Sequence, residues 1–142
     1  MTVRRSVTRA RDAAGRPVPL DSAQAVEPVP EQALPAPEAL ALARTLLAQG
    51  RPFFAHDVLE ASWKAAPDSE RELWQGLAQV CVGLTHLQRG NAVGAARLLR
   101  RGGGRLSDAS CLHGVDADAV AAWAMDAAEA VEQGRDPGPA TL

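Results

Sequence analysis

Leu73, Leu77, Val80, Leu84 and Leu87 recur in steps of three and four within "DSERELWQGLAQVCVGLTHLQRG". That spacing places all five side chains on one face of a helix, and such a face must be buried against other elements. The flanking sequence has the same texture. "PEALALARTLLAQG" opens on Pro37 and Glu38, closes at Gly50, and aligns Leu40, Ala43 and Leu47. "RPFFAHDVLEASWKAAP" follows and is stopped by Pro67. Asp68 reads as the N-cap of the central helix and Gly90 as its end. "NAVGAARLLRRGGGRL" begins on Asn91 as cap and carries Leu98 and Leu99. Its run Gly102–Gly104 is expected to weaken or fray it, since each helical glycine costs about 1 kcal/mol. Asp116 caps a last helix with Val120, Trp123, Ala127 and Val131 turned inward. No segment alternates with period two, so no strand is expected. The expected fold is all-α: a single-domain antiparallel bundle of about five helices over residues 37–133. An irregular N-terminal arm covers 1–36 and a C-terminal tail covers 134–142.

The 142 residues are enough to bury a core without disulfide or metal staples. Aromatics are only 4% and Tyr is absent, so aliphatic side chains and alanine fill that core. The net charge of −2 supplies no overall positive field, and nucleic acid is not the expected partner. The arm holds five prolines and Arg4, Arg5, Arg9, Arg11 and Arg16. It reads as a solvated tail or a strap across the domain rather than a nucleic-acid arm. No apolar run is long enough to span a bilayer, and the N-terminus lacks the apolar core of a signal peptide. A cytoplasmic protein with no membrane partner is expected. A protein partner or a second copy stays open. Cys81 and Cys111 lie far apart in no metal-ligand spacing, and Cys81 reads as a small core residue.

The polar residues of "FFAHDVLEASW" do not fit a purely packing role. His56 and Glu60 are i,i+4 neighbours, a spacing that brings side-chain heads together. Trp63 stands one turn on, where it could roof the pair. Two such heads can clamp a metal ion, or the carboxylate can orient the imidazole. On the central helix Gln75, Gln79, Val82 and His86 share a stripe away from the leucines. Gly76 and Gly83 beside it signal a close helix. If that helix is the preceding one, His86 becomes a third ligand and Gln79 an orienting neighbour, with Asp57 as an outer acid. Zn²⁺, Mn²⁺ and Fe²⁺ all suit such a mixed N/O set. The competing reading is non-enzymatic: a buried His56 hydrogen-bonded to Glu60 as a structural lock, or a groove for a partner peptide. His113 is assigned no role. "RGGGR" is a weak nucleic-acid signal, because no aromatic side chains interleave it.

"FFAHDVLEASW" resembles the HxxxExxW signature of a bacterial and archaeal family, domain of unknown function 309, with His56, Glu60 and Trp63 at its fixed positions. "GLAQVCVGLTHLQRGNAVGAARLL" is similar to the family's second block, with Gly90, Asn91, Gly94 and Ala95 in place, and this adds Asn91 to the candidate site lining. The two blocks cover roughly residues 45–105. The resemblance implies an all-helical fold and a signature suspected of binding metal, in a family whose function is not established. The family commonly has Glu after the His, where this chain has Asp57.

Overall fold

The computed structural model describes residues 9–142; Arg4 and Arg5 of the basic run lie outside them. The chain forms a short antiparallel hairpin, β1 (Arg9–Arg11) and β2 (Pro17–Pro19), then five helices. These are α1 (Ala36–Ala48), α2 (Pro52–Ala65), α3 (Arg71–Gln88), α4 (Ala92–Ser107) and α5 (Ala117–Glu132). Consecutive helices pack as antiparallel neighbours, with α3 between α2 and α4, α1 outside α2, and α5 mainly on α4. The all-α bundle expected from the periodicity is what forms.

The ends follow local chemistry. Gly50 and Gly90 take φ of 72° and 82°, the left-handed conformation that closes α1 and α3. In each case the next residue donates back into the helix, Arg51 N to Leu46 O at 2.8 Å and Asn91 N to His86 O at 2.8 Å. α2 stops at Ala66, whose ψ of 146° is the extended state imposed by Pro67. Asn91 and Asp116 cap α4 and α5 through Gly94 N at 3.0 Å and Ala119 N at 3.1 Å. Asp68 makes no side-chain cap. It opens a single 3-10 turn, Asp68–Glu70, and α3 begins after it.

Other expectations are corrected as well. The glycine run does not fray α4, which continues to Ser107 with Gly102 and Gly103 buried. A Cβ on Gly102 would meet Gly76 O at 2.9 Å, and one on Gly76 would meet Leu106 Cγ at 2.7 Å and Gly102 O at 3.2 Å. These glycines therefore face each other across the α3–α4 seam, and the loss in helix propensity is offset by backbone-to-backbone packing. The helix that approaches Gly76 and Gly83 is α4, not α2.

The arm also differs from the expectation. It contains a strand pair, in register Arg9↔Pro19, Ala10↔Val18 and Arg11↔Pro17. The pairing is too short for a period-two pattern to show in sequence. Gly15 in its turn has φ of 80° and lies flat on Phe53: a Cβ there would sit 2.2 Å from Phe53 Cγ. Val26, Val29 and Leu34 pack on the helical core. The described part of the arm is thus a strap, held by apolar contacts and by arginines that reach backbone carbonyls.

Candidate functional site

α2 buries Phe54, Ala55, Val58, Leu59 and Ser62. The opposite edge of the same helix must then carry what is left, and at i,i+4 steps it carries His56, Glu60 and Lys64. Glu60 is shared: its Oε2 lies 3.2 Å from His56 Nε2 and its Oε1 3.5 Å from Lys64 Nζ. Asp57 Oδ1 lies 3.5 Å from the other imidazole nitrogen, Nδ1. One ligand atom from each of His56, Asp57 and Glu60 falls within 4.8 Å of the others.

Both ring nitrogens of His56 therefore face a carboxylate. A neutral imidazole has one N–H and one lone pair, so it satisfies only one of the two acids. A further proton or a cation between nitrogen and oxygen resolves the other contact. The 3.2 Å separation is also close to the edge of a coordination shell with ligands at about 2.0–2.2 Å. Asp57 carries the cost of partial burial at this edge. Burial raises its carboxyl above the ordinary 3.8, and Glu60 adds to the rise; His56, Arg11 and Lys64 oppose it.

These heads are neither sealed in the core nor fully solvated. His56 is 21% exposed and Glu60 34%. Asp57, Glu60, Ala61 and Lys64 line a cleft of about 250 Å³ whose far wall is the strap residues Val29, Pro30 and Glu31. Lys64 was legible from the i,i+4 step off Glu60. Glu31 was not, because only the course of the strap brings it there. The Phe53 ring stands 5.9 Å from the His56 ring and supports it from the N-terminal side.

The remaining candidates sit elsewhere. His86 Nδ1 is 3.2 Å from Asn91 Nδ2, at the α3–α4 junction, where Asn91 also caps α4. Gln79 Oε1 accepts from Arg105 Nε at 3.1 Å, and Arg105 continues to Glu72 at 3.0 Å. Both face α4, which follows from the helix seen by Gly76 and Gly83. Trp63 does not line the cleft. Its ring packs against the core under the Arg71 guanidinium, 5.4 Å from the ring centroid, and its buried indole N–H has no hydrogen-bond partner among the described residues.

One residue without a sequence-derived role has a clear place. His113 Nε2 lies 2.7 Å from Glu70 Oε1, tying the α4–α5 loop to the start of α3. Cys111, Asp116 and Asp118 also cluster, but all three are exposed and Asp116 is engaged as the α5 cap.

No curated protein and no solved structure matches this chain. No described helix is long and apolar enough to cross a membrane. The model of the family described as Domain of unknown function (DUF309) matches residues 40–98, from α1 into α4 and including the whole His56–Asp57–Glu60 cluster. The match supports the resemblance of the HxxxExxW and Gly-Asn blocks to that family over this stretch of the chain.

Proposed function

We propose that the exposed edge of α2 is a divalent-cation site of a hydrolytic kind, with His56 and Glu60 as direct ligands and Asp57 as the adjoining acid. The observation that carries this reading is the doubly flanked imidazole beside a cleft: two carboxylates face one ring that, when neutral, satisfies only one of them. A cation held by Nε2 and Glu60 leaves Nδ1–H to donate to Asp57, the outer arrangement that fixes a ligating histidine. Two protein ligands leave positions for water, and a bound cation lowers the pKa of such water. Asp57 takes the place expected of His86, which is engaged with Asn91. Zn²⁺, Mn²⁺ and Fe²⁺ remain the candidates for a mixed N/O set. The partly buried, core-packed ring of Trp63 supports a packing role for that position of the signature.

The test is elemental analysis of the purified protein beside its His56→Ala variant, followed by thermal melts with each added metal. Metal in the wild type and loss of it in the variant are expected. Equal and negligible metal in both ends the reading.

A further inference from the structure

The guanidinium groups of Arg11 and Arg89 reach the turn Asp12–Arg16, that of Arg16 reaches back to Arg89, and none of the three forms an ion pair with a carboxylate among the described residues. Arg11 Nη1 donates to Gly15 O at 2.6 Å, and Arg89 Nε donates to the adjacent Ala14 O at 2.9 Å. Arg16 Nη2 reaches Arg89 O at 3.4 Å. The Cζ atoms of Arg11 and Arg89 lie 4.9 and 5.5 Å from the centroid of one ring, Phe53. All three side chains belong to exposed residues. Two like charges sharing one ring repel, and Arg11, Arg16 and Arg89 each direct one N–H group to a backbone carbonyl and leave the others undirected. Asp12, the acid of the turn, is committed to it: its Oδ1 accepts from Arg16 N at 2.8 Å.

We infer that Arg11, Arg16 and Arg89 form a binding site for a small phosphate-class oxyanion, either inorganic phosphate or the phosphate group of a small molecule. A tetrahedral dianion accepts several parallel N–H donors and neutralises the cluster, which a monoanionic carboxylate does less well. A cleft of about 370 Å³ bounded by Asp12, Ala13, Ala14, Gln24 and Gln88 opens on the same turn and gives a larger phosphorylated molecule room. Phe53 joins the arginines to His56, with ring centroids 5.9 Å apart, so such a molecule would lie beside the proposed cation site. The oxyanion site requires no metal and stands or falls separately from that reading.

The experiment is thermal denaturation in inorganic phosphate at constant ionic strength, with acetate and chloride as controls, on wild type, Arg89→Gln and Arg16→Gln. Chelator is present throughout. A saturable rise in Tm with phosphate alone is expected, shifted to about tenfold higher concentration in each variant. ³¹P line broadening of phosphate should weaken in parallel. Arg89→Gln also removes a bond to the strap, so its baseline Tm falls whichever way the phosphate response goes. An unchanged phosphate response in both variants, or an equal rise with acetate, overturns the inference. So does tight binding of a single-stranded oligonucleotide that phosphate does not displace.

Discussion

Two histidine–carboxylate pairs in this protein are built in opposite ways. His113 and Glu70 are distant in sequence and meet at 2.7 Å, and the same Glu70 oxygen accepts from the indole N–H of Trp74 at 3.2 Å. The imidazole lies tilted by 34° against that indole, with centroids 5.8 Å apart. The imidazole Nε2 and the indole N–H share one carboxylate oxygen, and the Glu70 carboxyl is held below its ordinary 4.5, first by His113 and then by Trp74. The backbone confirms that this joint is tightly determined, since His113 is held at φ of 54°, a conformation that costs a non-glycine residue of order 1–3 kcal/mol. His56 and Glu60, by contrast, meet within one helix, share Glu60 with Lys64, crowd a second acid against the ring, and leave Asp57 shifted upward by burial. The first arrangement relieves every group in it. The second leaves Asp57 raised by burial beside a cleft, where the proposed cation site lies.

The largest expected effect falls on the satisfied pair. Trp74 is 3% exposed, and Trp74→Ala should destabilise by about 3–5 kcal/mol in urea unfolding while leaving Glu70 and His113 without their platform. Trp63, only partly buried, should cost less when truncated. The reverse order would place more of the stability in the α2–α3 seam than in the His113 joint.

Glu70→Ala comes next, at about 1–2 kcal/mol, because two donors lose a charge-assisted acceptor at a partly exposed position. The lowered carboxyl fixes the pH dependence. Its contribution is present above about 4.5 and is lost as pH falls through the lower native value. Melts of wild type and Glu70→Ala should therefore diverge at neutral pH and converge in acid. A gap that persists in acid would mean that packing, not the ionised carboxylate, makes the joint.

Glu60→Gln should do much less to metal-free protein, under about 1 kcal/mol, since the pair it disrupts is partly solvated and internal to one helix. The same substitution should abolish the rise in Tm on adding the bound metal, which stabilises only the folded state. A loss in chelator as large as that of Glu70→Ala would make the two pairs alike and leave the structural lock as the better account of His56.

How much of this was legible in sequence depends on how local the cause is. The helices, Gly50, Gly90, Asn91, Asp116 and the His56–Glu60 step all follow from neighbours within one or two turns, and the structure has each of them. Apart from Asp68, which opens a 3-10 turn instead of capping α3, what fails is non-local. Gly76 and Gly83 announce a close helix but not which one, so the sequence does not show that Gln79 and His86 face α4 rather than α2. Gly102–Gly104 read as a weak point because the partner backbone at Gly76 is not visible from propensity. His113 had no partner in sequence, since Glu70 reaches it only when the loop folds back on the start of α3. Glu31 and the strap wall were hidden for the same reason.

The smallest predicted effect has the most diagnostic sign. Asp57 has a raised native carboxyl, so the stability linked to its protonated form is complete below about 3.8 and is lost as pH rises through the raised native value. At neutral pH the ionised group is therefore a net burden on the metal-free fold. Asp57→Asn should raise the Tm in chelator by about 1–2 °C, the scale of a few tenths of a kcal/mol for a partly exposed charge. The gain should shrink as the pH is lowered through the raised native value, where the wild-type carboxyl is itself neutralised. Metal should reverse the order: the wild type, with Asp57 available to orient His56, gains more on metal addition than the variant does. A variant less stable than wild type in chelator at neutral pH would show that His56, Arg11 and Lys64 outweigh burial at Asp57. The α2 cluster would then be a satisfied joint of the same kind as Glu70 and His113.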